Sequence, residues 1–287
     1  MLILNSPQVT QETCLRWKQE HTLALVPTMG CLHEGHLKLV NLAKELASRV
    51  VVSIFVNPLQ FGPGEDFEKY PRVFDSDVEK LEALGVDLLF YPSVKDLYPD
   101  GFATKIHVGE IAERLCGQFR PGHFDGVATV VLKLFEISCC NLAVFGEKDF
   151  QQLKVLQQIT RDLNLPVGII PHPIVRDTDG VALSSRNSYL SPDERSWAQT
   201  IPKTLNHLRQ VAIENPRLTI NELKTQGLSL LSQVPLKVQY LEVTHGEQLL
   251  PSQSDQSLTE LSLPRLLLAV YAGSTRLIDN MAMSENL

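Results

Sequence analysis

The stretch Thr22–Asn57, TLALVPTMGCLHEGHLKLVNLAKELASRVVVSIFVN, decides the fold. Thr22–Thr28 is a short apolar run that reads as a buried strand. From His36 to Ala47 the apolar residues Leu37, Val40 and Ala47, with Leu39, Ala43 and Leu46, fall near helical spacing. Arg49–Asn57 is then an almost unbroken β-branched run, the pattern of a strand covered on both faces. Strand, helix and strand make a βαβ unit, whose parallel strands need the intervening helix as a crossover.

The alternation continues. Phe74–Gly85 predicts a helix ending at a glycine that can take a left-handed cap. Val86–Pro92 predicts a strand, Gly126–Ser138 a buried helix, Leu142–Asp149 a strand breaking into a polar turn, Phe150–Asn164 a helix and Val167–Val175 a strand. This is an α/β chain: a Rossmann-like doubly wound parallel sheet over residues 1–176. Beyond Arg176 the character changes to helical patterns around Trp197–Ile213 and Thr219–Val234, then strand-like Lys237–His245 and Arg265–Gly273. Residues 177–287 are expected to form a smaller α+β domain.

The 287 residues are 44% hydrophobic and carry a net charge of -7, which argues against a general nucleic-acid footprint. No apolar run approaches the ~18–20 residues that span a bilayer. Five cysteines without a CxxC pair suit a reducing compartment. A cytoplasmic enzyme with no nucleic-acid or membrane partner is the expectation. Adjacent Cys139 and Cys140 read as buried apolar residues rather than a redox switch.

Open α/β sheets bind ligands at the carboxyl edges of their strands. The first such edge is Pro27–His36, PTMGCLHEGH. Glycine lets the backbone approach a ligand, and a helix starting near His36 turns positive partial charge toward an anion. His33 and His36, three apart, can point the same way and donate to phosphate oxygens. Two histidines at this spacing also fit a solvated pair, or two metal ligands lacking a third. The glycines, the strand before and the helix after favour the anion site. HEGH is not HExxH, no Gly-Lys phosphate loop exists, and Gly62–Phe67 lacks the third glycine of a dinucleotide fingerprint.

Three further edges carry polar residues. Asn57 and Gln60 are neutral two-sided groups suited to a small polar substrate, although Asn-Pro is also a common turn. In FGEKDFQQL, Lys148 can place a cation near phosphate, Asp149 can bind ribose or Mg²⁺, and Gln152 faces back one turn later; the same tetrapeptide also suits an exposed turn. In LSSRNSYLSPDER two serines beside Arg186 make a phosphate clamp or a capping cluster, with Ser191 and Glu194 matching a capping box.

Together with FRPGHFDGVATVVLKLF and IVRDTDGVALSSRNSYL, these stretches resemble the pantoate–beta-alanine ligase family of the nucleotidyltransferases with an HxGH motif, over nearly the whole chain. The resemblance implies ATP-dependent condensation of pantoate with beta-alanine through a pantoyl adenylate, with a C-terminal lid domain, Mg²⁺ and a homodimer. It implies an ATP site of Met29, Gly30, Cys31, Leu32, His33, Glu34, Gly35 and His36, with Gly146, Glu147, Lys148, Asp149, Val175, Leu183, Ser184, Ser185 and Arg186. Of these, His33, His36, Lys148, Ser185 and Arg186 are the expected catalytic set. Gln60, Gln152 and Asn57 are expected at pantoate, and Asp149 and Asp77 at the metal. Cys31 stands where relatives more often have Ala or Asn, and is expected to present backbone to the nucleotide.

Three other classes fit less well. A transferase with a phosphate acceptor would need cations where Gln60 and Gln152 stand. A nucleotide sensor has no need of His33, His36, Lys148 and Ser185 together. A metallohydrolase using the paired histidines lacks further ligands at suitable spacing.

Overall fold

The computed structural model describes residues 1–283, which form two compact units. One comprises Met1–Glu147 and Gln151–Pro173; the other comprises Lys148–Phe150 and the chain from Ile174 onward. The division thus falls three residues before the expected Arg176, and the short Lys148–Phe150 segment groups with the second unit.

In the first unit the strands are β1 (Leu2–Leu4), β2 (Leu23–Thr28), β3 (Arg49–Ile54), β4 (Leu88–Phe90), β5 (Leu142–Gly146) and β6 (Gly168–His172). All pair in parallel, in the order β1-β4-β3-β2-β5-β6. The long helices are α1 (Pro7–Lys18), α2 (Glu34–Leu46), α3 (Phe74–Ala83), α7 (His123–Ser138) and α8 (Phe150–Asp162). Three short turns, α4 (Val94–Leu97), α5 (Glu110–Glu113) and α6 (Cys116–Phe119), lie between β4 and α7.

The β-branched run is what makes β3 central: Val50 through Ile54 are all buried. Helix α2 lays Leu39, Val40 and Ala43 against Val50, Val52 and Leu81. Each such Leu or Val side chain is worth about 1.5–3 kcal/mol over leaving it in water. Chain order then locates the ligand crevice. From β2 the sheet grows through β3 to β4, whereas β5 and β6 lie on the other side of β2. The order therefore reverses between β2 and β5, and ligands of such sheets bind beyond the carboxyl ends of the strands at that point.

The second unit has helices α9 (Pro192–Ala198), α10 (Thr200–Glu214) and α11 (Ile220–Leu231), and strands β7 (Leu236–His245), β8 (Leu250–Pro251), β9 (Arg265–Ala272) and β10 (Thr275–Ala282). The strands form an antiparallel sheet, β10-β9-β7-β8, over a core that includes Leu205, Leu208, Leu223, Leu241 and Leu268. The expected capping box is present: Ser191 Oγ accepts from the Glu194 amide and Glu194 accepts from the Ser191 amide.

Several boundaries differ from expectation. Helix α2 begins at Glu34, two residues early, because His33 already takes the extended conformation of an N-cap. Strand β3 ends at Ile54, since Asn57 instead caps a 3-10 turn at Pro58–Gln60. Gly85 does take the left-handed conformation, with φ +65°. Cys140 is buried as expected but Cys139, at φ 49°, is only partly so. Strands β1 and β10 and helix α1 had no expectation.

Candidate active site

The first motif turns sharply where β2 hands over to α2. Gly30 has φ +81° and Cys31 φ 52°, two successive left-handed residues. A side chain at Gly30 is doubly opposed, because a Cβ there would lie 3.0 Å from Ile54 Cγ2 and 3.1 Å from Asp77 Oδ2. His33 and His36 meet face to face, ring centroids 4.0 Å apart and tilted by 32°. The His33 amide donates to His36 Nδ1 at 3.3 Å, which places the ring proton of a neutral His36 on Nε2. The His36 and Leu37 amides already donate to the His33 carbonyl. Glu34 and Gly35, the first two residues of the helix, have no intrahelical partner for their amides, and these suit an anion.

The loop is held from below by α3. Asp77, 1% exposed, accepts from the Cys31 amide through Oδ2 and from the Leu32 amide through Oδ1, both at 2.7 Å. Lys80 Nζ, one turn on, donates to the Leu32 carbonyl at 2.8 Å. Two expectations change as a result. Cys31, expected to present backbone to the nucleotide, turns its amide to Asp77. Asp77, expected at the metal, spends both oxygens on the loop, which accounts for it without a metal.

The second motif is built from neutral groups. Asn57, also 1% exposed, uses its whole amide inside the protein. Its Nδ2 donates to Gln60 Oε1 and to the Gly126 carbonyl, each at 3.0 Å. Its Oδ1 accepts from the Leu59 amide at 3.2 Å and from the Tyr98 hydroxyl at 2.8 Å. Two donors and two acceptor sites are then filled, so Asn57, expected to touch substrate, stands behind Gln60 instead. Gln60 Nε2 lies 3.3 Å from Met29 Sδ, at the edge of the Met29–His36 corner. The Gln60 carbonyl accepts from His123 Nδ1 at 2.7 Å and Arg120 Nη2 at 3.2 Å. Arg120 in turn grips Glu65 with two contacts of 2.6 Å. Burial alone would raise the Glu65 pKa, but hydrogen bonds and charge from Arg120 outweigh it and hold the carboxyl below its ordinary value.

Strand β5 delivers Gly146 beside His172 of β6 and runs into a 3-10 turn at Glu147–Asp149. Gln152, in the first turn of α8, is partly exposed; its neighbour Gln151 is buried, donating to the Ile111 and Arg114 carbonyls and accepting from the Cys116 amide. Within the second unit Lys148 lies 3.8 Å from Asp149, and the Lys148 carbonyl accepts from Asn280 Nδ2 at 3.0 Å. Val175 and Leu183 face each other across a small hairpin, the Leu183 amide donating to the Val175 carbonyl at 3.0 Å. Arg176 anchors that hairpin to buried Asp279 at 2.7 and 2.9 Å. Ser184 caps the turn that carries Ser185 and Arg186, accepting from the Arg186 amide at 3.3 Å. Sequence reasoning missed Lys80, Tyr98, Arg120, His123 and Gly126. The only signal for the last three was their place in FRPGHFDGV, which carried resemblance but no chemistry.

A doubly wound parallel sheet with paired imidazoles and a helix N-terminus at its switch point defines an α/β enzyme acting on a small ligand. The chain belongs to the pantoate–beta-alanine ligase family, whose profile matches residues 2–282, and it forms an amide bond between those two substrates. A pantothenate synthetase of Thermoanaerobacter pseudethanolicus is 46% identical over 286 residues, 99% of this chain and 98% of the relative. One from Pseudomonas entomophila is 51% identical over 262 residues, 90% and 89% of the two chains. The crystal structure of the Thermus thermophilus enzyme superposes with TM-score 0.92 at 43% identity, covering 99% of each chain. That of a Francisella tularensis pantoate–beta-alanine ligase, complexed with beta-gamma ATP and beta-alanine, has TM-score 0.79 at 35% identity, covering 99% and 98%.

Proposed function

We propose that the corner at His33–His36 receives the ATP phosphates and that Gln60, with Gln152, holds pantoate beside them. The observation carrying this reading is the approach of the Gln60 amide to Met29, within 3.3 Å, which sets an acid held by Gln60 next to the phosphate corner. Pantoate's carboxylate oxygen attacks the α-phosphorus; the bond to the β-phosphate oxygen breaks, pyrophosphate leaves and pantoyl adenylate remains. The beta-alanine amine then attacks the acyl carbon, loses a proton and expels AMP. A free carboxylate is a poor acyl donor, and the mixed anhydride makes it a good one while a dry site spares it from hydrolysis.

In this reading the Nε2–H of His36 stabilises charge growing on the phosphate rather than delivering a proton, with His33 beside it. Glu34 and Gly35 supply amides, and Gly146 and Glu147 border the ribose. The second unit, taken by itself, offers Lys148, Ser185 and Arg186 as cation and hydroxyl groups suited to phosphate, with Ser184, Leu183 and Val175 beside them in the chain. Among the described residues no three His, Cys, Asp or Glu side chains converge as a metal cage. Exposed Asp149 is the side chain that would help hold an Mg²⁺ bound with the nucleotide. When bound it would offset phosphate charge. No helix among the described residues is long and apolar enough to cross a membrane. A cytoplasmic location and a homodimer complete the proposal.

The test is exchange of labelled pyrophosphate into ATP without beta-alanine. Exchange that requires pantoate is expected. Exchange that ignores pantoate would favour a different transferase, and nucleotide binding with no exchange a sensor.

A further inference from the structure

Two backbone groups fix which way the buried Asn57 amide faces. The Leu59 N–H can only donate, so the atom it meets is Oδ1; the Gly126 carbonyl can only accept, so the atom it meets is Nδ2. With Nδ2 placed, its second hydrogen meets Gln60 at 3.0 Å, and the Gln60 atom there must be the acceptor Oε1. Gln60 is thereby left with Nε2, and its two hydrogens, on the side of Met29. The Tyr98 hydroxyl closes the chain by donating to Oδ1 at 2.8 Å, with its ring seated against Phe55 and Phe102 at centroid distances of 5.9 and 4.9 Å. The backbone of Gln60 is fixed separately, by His123 and Arg120 at its carbonyl.

We propose that Tyr98 and Asn57 are positioning residues whose hydrogen-bond chain sets the polarity of the acid pocket, holding Gln60 so that it offers amide hydrogens, and not its oxygen, to the substrate. The inference rests on the reading of Gln60 as a pantoate contact. A pocket of this polarity takes a ligand rich in acceptor oxygens, a hydroxy acid in its ionised form. It turns away an amide or amine whose donors would meet donors. A neutral chain does this without placing a competing charge beside the anion. Tyr98 is suited to its end of the chain because burial pushes its phenol well above the ordinary range, so that it stays a donor.

The experiment is a pair of double-mutant cycles, Tyr98→Phe with Gln60→Ala and Asn57→Ala with Gln60→Ala, read as KM for pantoate, KM for ATP and kcat. Tyr98→Phe removes one oxygen and keeps the ring. It is expected to raise the pantoate KM about 3- to 10-fold, the worth of one neutral hydrogen bond, with ATP KM unchanged. Asn57→Ala is expected to raise it about 10- to 100-fold. In the Gln60→Ala background both effects should vanish, since a residue acting through Gln60 has nothing left to orient. Effects that persist undiminished without Gln60, or a Tyr98→Phe enzyme with the parent pantoate KM, would overturn the inference. A Gln60→Ala enzyme with the parent pantoate KM would instead overturn the reading of the pocket itself.

Discussion

The corner at Met29–His36, proposed for phosphate, and the pocket at Asn57–Gln60, proposed for the acid, lie side by side on one sheet edge but are built by opposite means. The corner depends on backbone: two left-handed residues, a helix N-terminus, and a buried carboxylate that pulls the Cys31 and Leu32 amides down into the protein. The pocket depends on side chains: a neutral chain from Tyr98 to Gln60, with the charge of Arg120 behind it matched by Glu65. The contrast has a physical reason. A triphosphate needs many donors at close range, which backbone amides and imidazoles supply. A small acid needs few contacts of the right polarity. It also follows that the corner's amides are divided: residues 31 and 32 turn inward to shape the loop, whereas 34 and 35 head the helix.

The largest expected effect falls on the corner. His36→Gln keeps a donor but loses the ring that stacks on His33 and accepts its amide, and pantoate-dependent pyrophosphate exchange should fall about 100-fold or more. An exchange rate and pH profile like the parent's would remove the imidazole from the chemistry. Next comes the carboxylate beneath. Asp77→Asn can satisfy one of the two amides and sets its own NH₂ against the other, so the loop loses a charge-assisted hydrogen bond. We expect kcat/KM for ATP to fall about 10- to 100-fold, with the Mg²⁺ concentration for half activity unmoved. A raised Mg²⁺ requirement at normal ATP KM would return Asp77 to the metal.

Much of the corner was legible in the sequence and much of the pocket was not. The βαβ reading of Thr22–Asn57 follows from apolar spacing alone, because one face of a helix and both faces of a buried strand leave a local pattern. Glycines and histidines in the turn are likewise a local signal. The bond between Asp77 and residues 31 and 32 spans 45 residues or more, and no spacing rule foretells it. Asn57 misled for a related reason: a polar residue after a strand suggests a ligand contact, while its real partners, Tyr98 and Gly126, come from distant segments. Strands β1 and β10 were missed because one is three residues long and the other, Thr275–Ala282, interrupts its apolar pattern with Arg, Asp and Asn. Two of those polar residues, Asp279 and Asn280, are buried and serve Arg176 and Lys148.

A third perturbation tests whether the pocket's shape is as exacting as the corner's. Helix α7 crosses the Pro58–Gln60 turn so closely that a Cβ at Gly126 would sit 2.2 Å from the Leu59 oxygen and 2.7 Å from the Gln60 nitrogen. These are backbone atoms that cannot swing aside. Gly126→Ala should cost about 1–3 kcal/mol of stability by forcing helix and turn apart. It should also raise the pantoate KM more than the ATP KM, since the turn that moves carries Gln60. Equal changes in the two constants would mean that the two regions deform as one body.

The smallest effect concerns the charge pair behind the pocket. The Glu65 carboxyl titrates below its ordinary value of 4.5 in the folded protein. A depressed carboxylate pKa contributes stability that is fully present above the unfolded value and is lost as pH falls through the folded one. The pair is partly exposed, so its worth is modest, about 0.5–1 kcal/mol. Replacing Glu65 by Gln should therefore lower Tm by about 1–4 °C at pH 6, and the gap to the parent should close as pH falls below 4.5 and through the lowered folded value. Because Arg120 also holds the Gln60 carbonyl, the same variant should loosen pantoate slightly at pH 6 and leave ATP untouched. A Tm gap that stays constant as the protein is titrated into acid would place the contribution of Glu65 in packing rather than charge, and the pocket would then owe its rigidity to the neutral chain alone.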